Sequence, residues 1–139
     1  MDDGRRGERA AHRYLLRRGW HPVVRNWEGA GGELDMVMMR RGILAVVEVK
    51  TRSDPDELDE PISLAQRARI IRAAAVFASR RADLAELALR FDLITVDRSR
   101  RPARITHTAG AFSPADPQTG AWSRRPGRRW TETIDEGWA

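Results

Sequence analysis

Along most of the chain, apolar residues recur in two rhythms, one of about 3.6 residues and one of two. In GERAAHRYLLRRG (7–19), Ala11, Tyr14 and Leu15 share one side of a helix, arginines fill the other, and Gly19 ends it. WHPVVRN (20–26) reads as a short strand, with Pro22 marking an edge or a strand start. WEGAGG (27–32) is a glycine-rich turn. ELDMVMM (33–39) and ILAVVEVK (43–50) are the strongest strands, joined across Arg40, Arg41 and Gly42. Residues 53–61 form an acidic, proline-marked loop. Ser63 stands as the cap of a long helix, 64–81, with an apolar stripe read through Ala68, Ile71, Ala75 and Ala78. Asp83 and Glu86 resemble a capping box before a short helical turn. RFDLITVD (90–97) is a strand, SRRP (99–102) a turn and ARITH (103–107) a last short strand. The order α-β-β-β-α-β-β predicts an α/β fold, a mixed sheet of about five strands with helices against it.

The chain has 139 residues, which fits one domain with a core of its own. The periodic part spans residues 1–112. From Ser113 to Ala139 periodicity is lost, and Arg-Arg pairs and Trp122, Trp130 and Trp138 fall in an irregular tail. Such a tail is either simple disorder or an aromatic arm that docks on bases or on a partner. There is no cysteine, which excludes disulfides, thiolate metal sites and thiol catalysis. MDDGRRGERA lacks an apolar signal core, and no run of about 18 apolar residues occurs, so no membrane span and a cytoplasmic location are expected. Lys and Arg number 25 against 20 Asp and Glu, a net charge of +5. Arginines fall in pairs along the whole chain, a field that attracts phosphates and makes nucleic acid the expected partner; the plain alternative is an arginine preference that reflects genome composition and solvated faces.

One residue breaks the basic pattern. Lys50 is the single lysine, set two positions after Glu48 on an apolar strand. Side chains alternate along a strand. A two-residue loop at Arg41-Gly42 pairs 40 with 43, and that register puts 35 opposite 48 and 33 opposite 50, whereas an odd loop without a compensating bulge would put Asp35 and Glu48 on opposite faces. Directly opposed Cβ atoms lie about 5 Å apart, so Asp35 and Glu48 would repel unless a cation sat between them. Oxygen ligands at this spacing suit Mg²⁺ or Mn²⁺. Lys50, about 7 Å further along the same face, could meet a phosphate oxygen or orient a water, which a compact ammonium does better than a planar guanidinium. The plain alternative is a cross-strand ladder of ion pairs on a solvated face. The run AVVEVK is apolar on both sides, however, as in a central strand, where charges are costly unless paired or functional.

The ordered set GE, RN, GGELD (31–35), EVKTR (48–52) and RFD resembles the YraN family of small bacterial proteins, similar to archaeal Holliday-junction resolvases. The likeness runs from about Gly7 to Phe112. Its Asp35…Glu48-Val49-Lys50 spacing is similar to the D…ExK signature of the restriction-endonuclease-like superfamily. The resemblance implies a restriction-endonuclease-like core and Mg²⁺-dependent hydrolysis of phosphodiester bonds in DNA, including branched or junction DNA. It implies Asp35, Glu48 and the Val49 carbonyl as metal ligands and Lys50 as the residue that polarises water or phosphate. Glu8 of the first helix would join the site, and Glu33 would support it or pair with Lys50. Resolvase-like relatives act as dimers, so a homodimer is one implied assembly. The chain departs from the family at Gln66, where a lysine usually stands. Arg67 or Arg69 would then take over its phosphate contact, with Arg52 also placed to grip the backbone. That departure keeps a second reading open, a nucleic-acid-binding protein that retains the nuclease fold without turnover.

Overall fold

The structure, a computed structural model, describes residues 3–56 and 62–114. Most of the acidic loop, and the tail beyond Pro114, lie outside the described residues. Helix α1 (Asp3–Arg17) is followed by β1 (His21–Gly29), β2 (Gly32–Arg40), β3 (Ile43–Arg52), α2 (Leu64–Ser79), a 3₁₀ turn (Ala82–Leu84), β4 (Ala88–Asp97) and β5 (Arg104–Phe112). The strands form one sheet in the order β1-β2-β3-β4-β5. Only the β3–β4 pair is parallel. This is the mixed five-stranded sheet with flanking helices that the residue pattern predicts, and β3 is its central strand.

The helices cover opposite faces. On one side, Ala11 and Leu15 of α1 pack with Trp20, Met36, Met38, Ala45, Val47, Ile94 and Val96. On the other, Ile70, Ala73, Ala74 and Phe77 of α2 pack with Leu34, Val37, Leu44, Val46, Phe91 and Phe112. Each such large side chain, fully buried, stabilises the fold by about 1.5–3 kcal/mol. The α2 stripe is turned by one residue from the expected Ala68, Ile71, Ala75 and Ala78. Ile71 is only half-buried and Ala75 is exposed. Most of α2 is apolar, so the bulkiest residues at helical spacing, Ile70 and Phe77, decide which side faces the sheet.

Three boundaries differ from expectation. The turn at 27–32 shrinks to Ala30 and Gly31, both at positive φ (54° and 74°), a two-residue hairpin turn. The same geometry recurs at Arg41 (49°) and Gly42 (79°), which sets the expected pairing of Arg40 with Ile43. Asp83 is no cap. It lies inside the 3₁₀ turn and pairs with Arg81. Finally, β5 runs on to Phe112 through an irregularity opposite Asp92, with Gly110 at φ 61°. That bend serves a buried cluster on the α1 side. The Asp92 carboxylate, fully buried, accepts from Arg90 twice, from Gly110 N and pairs with His107 Nε2. Burial pushes the Asp92 carboxyl up, but the bonds from His107 and Arg90 outweigh it and hold the group below the ordinary range.

Candidate active site

The alternation of β2 slips once. Val37 and Met39 face α2 while Met36 and Met38 face α1, yet Leu34 faces α2 again. Two same-side residues three positions apart require a break in the period, and it falls at Asp35 and Met36. Across β1, Asn26 stands between the pairs Arg25–Met36 and Trp27–Leu34 with φ 51°, a conformation asparagine tolerates. The β2–β3 ladder ends at the same place, its last pair being Met36 with Val47. From there β3 continues to Arg52 with only β4 beside it.

The free edge of β3 is filled by a side chain. Val49 N donates to Asp35 Oδ2 at 2.8 Å. In an extended strand the N–H and C=O of one residue point the same way. The Val49 carbonyl therefore also faces the gap that holds Asp35. The Glu48 and Asp35 carboxyls lie close enough to influence each other's ionisation. So the two carboxylates meet, as the register argument predicts, but through a strand that parts from its neighbour rather than through a regular ladder.

Gln66 completes the group. Its backbone N–H donates to Ser63 Oγ at 3.1 Å, at the third position of α2. Its side chain accepts from Lys50 Nζ at 3.2 Å and donates to Glu48 Oε1 at 3.0 Å. Lysine only donates, so this orientation of the amide is fixed by its partners. The resemblance marks Gln66 as a departure from the lysine expected at this position. The structure places it between the two residues of the ExK motif. Its Ser-x-x-Gln spacing reads as a capping box, which hides this second use.

Burial pushes the Glu48 carboxyl up to about 8, and the Asp35 charge adds to the shift. Burial also raises Asp35, against the Val49 hydrogen bond and the Lys50 charge. Two desolvated acids held in contact favour a shared proton or a cation between them. The donors are all oxygens, two carboxylates and a backbone carbonyl, which fits Mg²⁺ or Mn²⁺ rather than a softer metal. Among the described residues no group of three or more His, Asp or Glu forms a metal cage.

This region lies within a family match. A model described as "Uncharacterised protein family UPF0102" covers residues 7–96. The chain belongs to this family. It is 40% identical over 104 residues to a UPF0102 protein of Synechococcus sp. (strain JA-3-3Ab), covering 73% of this chain and 78% of the relative. With a UPF0102 protein of Caulobacter sp. (strain K31) it shares 38% over 102 residues, 73% of each chain. With one from Myxococcus xanthus it shares 38% over 116 residues, 78% of this chain and 87% of the relative. The YraN likeness is thus borne out, and the family description states no activity.

Within the UPF0102 match the other candidate residues are spread around the pair. Glu8 sits half-buried in α1, next to Gly7, where an added Cβ would overlap the Thr51 hydroxyl, so only glycine lets α1 approach the end of β3. Glu33 is exposed, opposite Glu28 in β1, and its charge adds to the upward push on Glu48. Lys50 has Gln66 rather than Glu33 as its hydrogen-bond partner. Arg52 donates to Pro55 O at 3.2 Å. Arg67 donates to Ile62 O and lies over the Phe112 ring. Arg69 is exposed and lines a cleft of about 460 Å³ with Glu28, Gly29, Gly31, Gly32 and Glu33. No helix among the described residues is long and apolar enough to cross a membrane.

Proposed function

We propose that this protein is a Mg²⁺-dependent endonuclease that hydrolyses phosphodiester bonds in DNA. One observation carries the reading: Val49 N–H ties Asp35 to the free edge of β3 next to Glu48, and Gln66 joins Glu48 to the Lys50 ammonium. Asp35, Glu48 and the Val49 carbonyl would hold the ion, which when bound acidifies a water and offsets charge on the phosphoryl oxygens. Val49 N–H fixes one oxygen of Asp35 and leaves the other for the ion. Lys50 brings a positive charge to a non-bridging phosphate oxygen or to the attacking water. Gln66 keeps that ammonium from collapsing onto Glu48, because it stands between the two.

The likeness to junction resolvases supports branched DNA as the first substrate to try. The test is nicking of branched and linear DNA in Mg²⁺ by wild type, Asp35→Ala and Lys50→Ala. Loss of nicking in both variants is expected, and equal cleavage by all three would end the reading. A binding protein without turnover is the second reading, favoured by a neutral glutamine where the family carries lysine. It requires DNA binding that is steeply salt-dependent yet unchanged by Mg²⁺ or by Asp35→Asn.

A further inference from the structure

The registers carry the site sideways across the sheet. On the face that holds Glu48 and Lys50, Lys50 pairs with Thr95 and Thr95 with Thr106. The neighbouring rows run Glu48–Leu93–Thr108 and Arg52–Asp97–Arg104. Opposed residues in a ladder share a face, so Arg104, Thr106 and Thr108 lie on the same side as the two carboxylates. All three are exposed. Adjacent strands are about 4.8 Å apart, which puts Thr106 roughly 10 Å from Lys50.

The β4–β5 turn rims this platform. From Asp97 to Arg104 the chain reads DRSRRPAR, four arginines against one aspartate. The aspartate is already engaged, accepting from both the backbone and the hydroxyl of Ser99. Arg98 N donates to Arg52 O at 2.6 Å, which ties the turn to the end of β3. Arg100 is 62% exposed and its only ion pair, among the described residues, is a loose 3.7 Å contact with Asp97. Arg101 is exposed as well. On the other side of the site, by contrast, Arg69 shares its cleft with Glu28 and Glu33. The field beside the carboxylates therefore slopes toward β5 and away from the glycine turn.

We infer that the β5 platform, Arg104 and Thr106 with Arg100 and Arg101 of the preceding turn, is the track that holds the phosphate backbone of duplex DNA flanking the reacting phosphate. The inference deepens the phosphodiester reading of the site. Guanidinium and hydroxyl groups are the common partners of backbone phosphates, and a reach of roughly 10 Å corresponds to about three base-pair steps along the helix axis.

The experiment reads binding of a short labelled DNA duplex by anisotropy, in EDTA, across a salt series. The double variant Arg101→Ala/Arg104→Ala should bind about tenfold more weakly at ~0.1 M salt, and its log–log salt slope should fall by roughly two phosphates' worth. Arg13→Ala/Arg17→Ala, on exposed positions of α1 across the sheet, should stay within about twofold of wild type. Unchanged affinity and slope in the β5 variant, or an equal loss in the α1 variant, would overturn the inference while leaving nicking to be judged separately. Wild type that binds through β5 but never nicks in Mg²⁺ would uphold the track and end the nuclease reading instead.

Discussion

Gln66 donates to Glu48 at 3.0 Å from the first turn of α2, bridging a helix start to a strand eighteen residues earlier. The same amide accepts from Lys50. A lysine here would bring a second ammonium beside Lys50, whereas glutamine joins acid and base without adding charge. Gln66→Ala removes both bonds and leaves the half-buried Glu48 and Lys50 each short of a partner, a loss of about 1–3 kcal/mol. Nicking should fall by roughly tenfold, with wild-type affinity for DNA, if Gln66 positions Lys50 for the chemical step. A variant as active as wild type would show that Lys50 finds its place unaided.

Asp35→Asn separates stability from function. The asparagine oxygen can still accept from Val49 N, and its amide can donate to Glu48. The like-charge pair disappears, so the metal-free variant should melt higher than wild type near pH 8, by about 4 °C or roughly 1 kcal/mol at this chain length. Nicking should fall by roughly 10²–10³-fold, as one charged ligand is lost. Melting curves in EDTA paired with nicking assays in Mg²⁺ check both halves.

Glu48 sets a pH dependence of definite sign. Its acidity is shifted from 4.5 to about 8 on folding. Between those values the folded chain keeps a proton that the unfolded chain has released, so the metal-free protein loses stability as pH rises through that window. Asp92, held low, acts at the other end: its contribution is complete above the ordinary value of 3.8 and is lost only as pH falls below it. Melting temperature in EDTA should therefore decline from pH 5 to pH 8, and Glu48→Gln should flatten the decline. Mg²⁺ competes with the proton, so its stabilising effect should be larger at pH 8 than at pH 6. A Mg²⁺ effect that does not grow with pH would argue against Glu48 as a ligand.

Much of this was legible in the sequence, and the misses have physical causes. The β2–β3 register followed from Arg41-Gly42, because a two-residue turn at positive φ admits one pairing. That Asp35 and Glu48 meet followed from it. The manner of their meeting did not, since strict alternation cannot foresee the slip at Asp35 and Met36; Asn26 across the sheet was the nearest sequence signal. The α2 stripe was misread by one position because a run of alanines is apolar all round and only side-chain volume breaks the tie. The long β5 was missed because Thr108, Ala109 and Gly110 do not alternate, and what holds them is a distant carboxylate, Asp92. Gln66 was seen as an absence of lysine, since nothing local reveals where a helix start will be laid against a strand.

Asp92 anchors the strand that carries the platform, and its removal should be costly. Asp92→Ala would leave Arg90, 3% exposed, and His107 without their shared acceptor, and Gly110 N unpaired. Breaking a buried pair by removing one partner costs about 3–5 kcal/mol, a large part of a typical domain's stability. Urea unfolding should show a loss in that range. Replacing the ion pair with apolar residues, Arg90→Met/Asp92→Leu, should recover part of it, as buried pairs exchanged whole are often neutral. Recovery should remain incomplete, because His107 and Gly110 N still lack the carboxylate they share. A double variant as stable as wild type would mean that the β5 bend is held by packing on Phe91 and Phe112, with the carboxylate network adding nothing net.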